Sequence, residues 1–300
     1  METNYHNPVL LKESVDGLNI VENGIYVDVT FGGGGHSREI LKRLGSEGAL
    51  FAFDQDEEAL NNTIDDNRFT LINENFRYIK QFLKFYGIRK VDGILADFGV
   101  SSHQFDKAER GFSTRFDADL DMRMSTRNKK SAYEVVNSYS YDDLRKVLFR
   151  YGDLRPADAM AKTIVEHRVN APIKTTVDLK RVLKEYLPKF RENKILAQVY
   201  QAIRIEVNQE LVAIEEFLLQ TPEIMDKGGR LSLISYHSLE DRLVKRFIRS
   251  GTFSVETEKD FYGNIDVPFK KVGGLIVPSA SEIARNNRAR SARLRIAERI

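Results

Sequence analysis

Two carboxylates and a run of glycines carry the chemistry that this sequence offers. Asp97 ends the apolar run VDGILAD and is followed by FGVSS, a turn of mostly small residues. Asp54 ends another apolar run, ALFAFD, and lies twenty residues after Gly34. The tetraglycine Gly32 to Gly35 follows the run IYVDVTF, and from Ser37 onward the spacing is helical. Ile40, Leu41 and Leu44 share one face, Arg38, Lys42 and Arg43 point away, and Gly45 can cap the helix. Strand, glycine turn and helix open a nucleotide-binding βαβ unit, where missing Cβ atoms let a ligand lie against the main chain. A tetraglycine alone is equally a surface loop.

Three ligand classes use such a loop. A phosphate-cradling P-loop ends in Gly-Lys-Ser/Thr, whereas His36-Ser37 follows here. The dinucleotide fingerprint matches loosely, with Gly32 and Gly34 in place and Ser37 at the third position. The third class is S-adenosylmethionine. Both nucleoside ligands need an acid at the end of strand two for the ribose hydroxyls, and Asp54 fits; its alternative role is a cap for the run from Glu57. Strand four separates the two ligands. No proton-relay group for hydride transfer is evident, while Asp97 is the polar group a methyltransferase places where the sulfonium faces its acceptor. Asp97-Phe98-Gly99 also copies the kinase magnesium motif, but no HRD-type loop or APE accompanies it, so the match is coincidental.

These residues need a scaffold. Apolar runs at 25–31, 49–56, 69–76, 91–100 and 229–237 read as strands, the first four separated by helix-like stretches. That alternation predicts an α/β fold with a mostly parallel sheet. The fifth run comes about 130 residues after the fourth, too long for a crossover loop. Residues 106–206 carry helical patterns, such as 141–152 and 175–187, and read as an inserted helical domain between 1–105 and 207–300. From Val207 the stripe Val207, Leu211, Ile214, Leu218 predicts a helix returning to the sheet. In the final stretch, Ala292, Leu294 and Ile296 alternate with Arg293 and Arg295, a strand with one basic face.

Bulk composition narrows the classes. With 42% hydrophobic and 30% charged residues the chain is globular, and a net charge of +2 argues for no partner by itself. The start METNYHNPVL has no basic segment followed by an apolar core, so no secretory leader is expected; no apolar run reaches the ~20 residues of a membrane helix, and cysteine is absent. A cytoplasmic protein with no membrane association is expected, as monomer or homodimer, without thiolate chemistry. The histidines, His6, His103, His167 and His237 among them, show no ligand spacing, and no metal is expected.

The motifs TFGGGGHSR, DGILADFGVSS, AERGFS, LDMRM, QAIRIEVNQEL and GGRLSLISYHSLEDR resemble those of the bacterial ribosomal RNA small-subunit methyltransferase H family, also called MraW. The resemblance runs from NPVLLKESVDGL to NNRARSARLRIAER. It implies a Rossmann-like, class I S-adenosylmethionine-dependent methyltransferase domain with an inserted all-helical substrate-recognition domain. The implied activity is methylation of the exocyclic N4 of one cytidine in the decoding region of 16S rRNA, in the small ribosomal subunit. Carried over by motif, cofactor contacts fall on Gly34, Gly35 and His36, on Asp54 at the ribose, and on Phe76, ending strand three, beside the adenine. Asp97 and Gln104 flank the methionine end and the acceptor. The chain departs from the family at His103, where proline is usual, and in RENKILAQVY, which lacks a His-Pro pair.

Mechanism follows from what is missing. Methylation at cytosine C5 requires a cysteine nucleophile, so it is excluded, whereas attack by N4 requires only orientation of the amine. Asp97 is assigned to orient or accept from that amine; its other reading is cofactor binding alone. Ser238 with Asp241 reads as a capping box, and Tyr236 and His237 before it either face the acceptor base or pack. Arg110, Arg115, Arg123, Arg293 and Arg295 are the expected RNA contacts, since six arginines and one acid in 285–299 leave few local partners. The rival readings are a methyltransferase of another nucleic acid or of protein, and a non-catalytic nucleotide-binding module.

Overall fold

The computed structural model describes residues 8–254 and 267–300; His6 lies outside them. The chain divides into two compact units, Met1–Gly99 with Leu211–Ile300, and Val100–Glu210. The second is wider at both ends than the insertion read at 106–206. Among the described residues seven strands form one sheet: β1 (Ile25–Asp28), β2 (Ala49–Phe53), β3 (Phe69–Ile72), β4 (Val91–Asp97), β5 (Met225–Ser235), β6 (Phe269–Ile276) and β7 (Arg293–Arg299). Their order is β3-β2-β1-β4-β5-β7-β6. The first five are parallel, and β7 and β6 are antiparallel. This is a Rossmann-like α/β sheet.

Twelve α-helices occur among the described residues. In chain order they are α1 (Leu11–Gly17), α2 (Gly35–Arg43), α3 (Ile79–Phe85), α4 (Ser102–Asp106), α5 (Ala132–Ser138), α6 (Tyr141–Gly152), α7 (Ala157–Arg168), α8 (Thr176–Val182), α9 (Glu192–Asn208), α10 (Glu210–Ile224), α11 (Ser238–Ser250) and α12 (Ala280–Arg285). The period-two alternation of the strands sorts the core into two layers. Tyr26, Leu50 and Leu95 pack against Val15 of α1 and Ile40 and Leu41 of α2. Val27, Phe51 and Ile94 pack against Leu83 of α3, Phe217 of α10 and Phe247 of α11. Gly93 is paired with Tyr26 across β1 and β4, and a Cβ there would lie 2.8 Å from the tyrosine ring. The helical unit has its own core, in which Leu144 and Val147 of α6, Met160 and Ile164 of α7, and Leu196 and Val199 of α9 are buried.

Several expectations change here. The stretch after β2 is a 3-10 helix, Glu57–Asn62, rather than an α-helix. The helix expected from Val207 starts later: Val207 belongs to α9, and Gln209, with a φ of 51°, separates α9 from α10. Strand β6 was not anticipated, because FKKVGGLI carries two glycines and two lysines that suit a charged sheet edge rather than a core strand.

Strand β7 has the expected alternation, with Leu294 and Ile296 buried. Arg293 and Arg295 find a partner far along the chain, where the sequence reading weighed only local ones. Arg295 Nε donates to Asp241 Oδ1 at 2.7 Å and Arg293 Nη1 to Asp241 Oδ2 at 3.1 Å. Arg293 remains 51% exposed, but Arg295 is only 15% exposed and Asp241 10%. Burial would raise the Asp241 carboxyl, and the hydrogen bonds and charges of Arg295 and then Arg293 outweigh it, leaving it below its usual value. Arg295→Gln is therefore expected to lower unfolding free energy by about 1–3 kcal/mol in urea titration. Arg293→Gln should cost less than about 1 kcal/mol. The Asp241 contribution is present above the unfolded carboxylate range near pH ~4 and is lost as pH falls below it; Arg295→Gln should flatten that acid limb.

Candidate functional site

The sheet's hydrogen bonding continues past β1 and delivers its end to the glycines. Val29 N donates to Leu95 O and Phe31 N to Phe53 O, both at 2.9 Å, so the chain stays wedged between β2 and β4. It then turns at Gly32 (φ 51°) and Gly34 (φ 75°), left-handed conformations that glycine adopts without strain. Helix α2 starts at Gly35, two residues before the expected start, and ends at Arg43, with Leu44 rather than Gly45 in the capping position. A Cβ on Gly35 would lie 2.1 Å from Pro8 Cγ. His36 is 5% exposed and its Nε2 lies 3.1 Å from Val9 O. Gly35 and His36 thus pack the segment before α1 onto the glycine turn.

Asp54 follows β2 directly and accepts two main-chain hydrogen bonds at 2.8 Å, Gly32 N on Oδ2 and Asp56 N on Oδ1. Burial pushes its carboxyl up to about 6, the two backbone donors oppose the rise, and Asp56 and Asp28 add to it. The capping role considered for Asp54 belongs to Asp56, whose side chain accepts from Glu58 N at 3.1 Å. Phe76 does not end β3, which stops at Ile72; it begins a 3-10 turn, Phe76–Tyr78. Half-buried, it packs 6.0 Å from the Phe98 ring and 5.5 Å from Phe217.

Asp97 terminates β4 beside the glycine turn. Its N donates to Thr30 Oγ1 at 2.6 Å, and its Oδ1 accepts from Tyr236 Oη at 2.8 Å. Burial raises its carboxyl to about 6; His36 and the Tyr236 hydroxyl pull against that, while Asp28 and Glu240 add to it. Burial, then the charge of Asp97, pushes the Tyr236 phenol well above its ordinary value. Asp28 itself is 0% exposed and was missed as a site residue. Ser37 Oγ donates to it at 2.7 Å and Thr30 N at 3.1 Å. Its signal was an acid inside the run IYVDVTF.

His237, not Ser238, caps α11, which corrects the capping box read from sequence. The His237 Nδ1 accepts from Glu240 N at 3.4 Å, and the Glu240 carboxylate accepts from His237 N at 3.2 Å. The box uses a buried glutamate, one residue earlier than the Asp241 expected, because Asp241 is taken by the β7 arginines.

In the helical unit, Gln104 is 4% exposed and completes a capping box with Ser101, accepting from Ser101 N at 3.0 Å. Arg110 donates to the carbonyls of Arg123 and Met124 at 2.8 and 3.0 Å. Arg123 grips Asp121 through two bonds of 3.0 and 2.8 Å. Both arginines therefore order the loop they belong to. Arg115 is 61% exposed and sits over the Phe116 ring at 5.4 Å.

A family model described as the MraW methylase family matches residues 3–300. The chain belongs to this family. It is 69% identical to the ribosomal RNA small subunit methyltransferase H of Christiangramia forsetii over 99% of this chain and 98% of that one. A protein of the same name from Flavobacterium johnsoniae is 68% identical over the same shares. Among solved structures, an rRNA methylase from Streptococcus thermophilus has a TM-score of 0.42 at 12% identity, covering 100% of this chain and 99% of that one.

The raised carboxyls give the fold a pH dependence of definite sign. Asp54 and Asp97 hold a proton up to about pH 6 when folded but only up to the ordinary value of 3.8 when unfolded. Each therefore lowers stability above pH ~6 and returns it as pH falls toward ~4. The melting temperature of the ligand-free protein is expected to rise between pH 7.5 and about 5, and Asp97→Asn should reduce that slope.

Proposed function

We propose that the chain is an S-adenosylmethionine-dependent methyltransferase acting on the exocyclic N4 of a cytidine in the 16S rRNA of the small ribosomal subunit, and so working in the cytoplasm. The names of its relatives support the rRNA substrate. The observation that carries the reading is the convergence of the glycine turn, Asp54 and Asp97 at the carboxyl ends of β1, β2 and β4. Strand order reverses between β1 and β4, and ligands of open α/β sheets bind at such a switch point.

The residues present fit the cofactor. A carboxylate offers about four acceptor sites, and Asp54 uses two on main-chain donors, leaving acceptors for a ribose diol. Gly34 and Gly35 keep the turn free of side chains, and the half-buried Phe76 ring is an apolar surface for adenine. When bound, S-adenosylmethionine supplies a methyl group on a sulfonium, released as its carbon–sulfur bond breaks.

The chain's own part is to aim the amine. The lone pair of N4 is delocalised into the ring, and a hydrogen bond to a carboxylate turns the nitrogen toward the methyl. Asp97 Oδ1 is engaged by Tyr236, so Oδ2 accepts from the amine and takes the proton that N4 sheds. A carboxyl at about 6 is ionised at neutral pH yet basic enough for that transfer. Exposed Arg115 with Phe116 in the helical unit, and half-exposed Arg293 on β7, are the arginines best placed to meet phosphates.

Mass mapping of 16S rRNA from cells lacking the protein is expected to show loss of one N4-methyl group; an unchanged map would sink the reading. Asp54→Ala should weaken S-adenosylmethionine binding by roughly ten- to hundredfold in calorimetry, the effect of one charged acceptor. Asp97→Asn should retain binding within about threefold while turnover falls by at least about a hundredfold.

A further inference from the structure

Glu240 is a carboxylate that the chain buries completely, at 0% exposure, in the first turn of α11. Its Oε2 accepts from Tyr236 N at 2.8 Å and from His237 N at 3.2 Å, and its Oε1 lies 3.1 Å from His237 Nε2. Those contacts fix both main-chain amides of the turn between β5 and α11. Tyr236 leaves that turn with its hydroxyl on Asp97 Oδ1. Its ring lies along Gly99, where a built Cβ would meet Tyr236 Cδ2 at 3.6 Å. The turns after β4 and β5 are also joined by Phe98 N donating to Ile234 O at 3.0 Å. The tyrosine ring therefore reaches Asp97 from a base held on both sides.

We propose that Glu240 and Tyr236 form a clamp whose task is to position Asp97, with Glu240 setting the turn and the Tyr236 hydroxyl holding one carboxylate oxygen. This deepens the role given above to Asp97 and rests on it. An ungripped carboxylate rotates about its last bond and presents either oxygen. With Oδ1 held, the rotation stops and Oδ2 alone is offered to the amine. Tyr236 and Glu240 are thus positioning residues, acting through Asp97 rather than on the substrate.

The charged and titratable groups facing Asp97 are His36 of α2, Asp28 of β1, Tyr236 after β5 and Glu240 of α11. Two of them act on its proton with opposite sign: the Tyr236 hydrogen bond lowers the midpoint, and the Glu240 charge raises it. A merely structural role would leave kcat unchanged in Tyr236→Phe.

The test uses the full chain with Tyr236→Phe and Glu240→Gln. Carbon-13 NMR of the Asp97 carboxyl, recorded without substrate, follows its titration. Tyr236→Phe should move the midpoint up by about one to two pH units, the loss of one hydrogen bond to a charge. Glu240→Gln keeps an acceptor for both amides and loses the charge, so the midpoint should move down by less than about one unit. On small-subunit rRNA, Tyr236→Phe should lower kcat by about ten- to hundredfold, with the KM for S-adenosylmethionine within about twofold. Glu240→Gln should lower kcat by about three- to tenfold, since an amide oxygen holds the two turn amides less tightly than a carboxylate does. An unmoved midpoint and unchanged kcat in Tyr236→Phe would overturn the clamp. If wild type methylates no rRNA while the midpoint moves as stated, the clamp stands and the proposed activity falls. Should Glu240→Gln not fold, Tyr236→Phe decides alone.

Discussion

A carboxylate held out of water at the end of a parallel strand must find donors nearby, and much of the first unit is arranged around that need. Three carboxylates stand at adjacent strand ends: Asp28 on β1, fully buried, and the half-buried Asp54 after β2 and Asp97 on β4. Each takes its donors from the chain around it: Ser37 and the Thr30 amide for Asp28, two loop amides for Asp54, a phenol for Asp97. Those hydrogen bonds do not cancel the burial, since all three carboxyls stay above their ordinary values. Like charges gathered at one edge add to the effect. Such an edge is ready for a ligand that brings hydroxyls, an amine or positive charge.

The glycine turn is the other half of that arrangement. Its main chain gives Gly32 N to Asp54, and its helix brings Ser37 to Asp28 and His36 beside Asp28 and Asp97. One short stretch thus ties three strand ends together. Thr30 adds a further tie, presenting its amide to Asp28 and its hydroxyl oxygen to the Asp97 amide. A side chain at Gly34 would meet the Phe31 ring and one at Gly35 would meet Pro8, so the turn could not keep its place.

Local rules made the centre of this unit legible in the sequence. Short apolar runs located β1, β2 and β4, with an acid within or at the end of each, and the helix read over 141–152 is α6 with the same limits. What escaped was set by distant partners. Strand β6 is held by β7 through its backbone, so its lysines and glycines carry no apolar signal. Ser238 and Asp241 satisfy a capping box on paper. Asp241 instead answers two arginines more than fifty residues away, and the cap passes to His237 and Glu240. Arg110 and Arg123 read as RNA contacts, yet Arg110 holds main-chain carbonyls thirteen and fourteen residues on, which no side-chain pattern shows, and Arg123 holds Asp121, a near neighbour that the loop turns toward it. The break at Gln209 lies in a smooth apolar stripe that gives no hint of it.

Asp241 serving Arg293 and Arg295 together has a historical consequence. Charge at these three positions is shared, so no one of them drifts independently: loss of the acid strands two cations, one of them mostly out of water. Loss of Arg295 alone leaves a poorly solvated acid leaning on its exposed neighbour. Acceptable change at the start of α11 and on β7 is then change in step. Across descendants of this chain the three columns are expected to vary as a block, with Arg293 the loosest member, although more than fifty residues of sequence separate them.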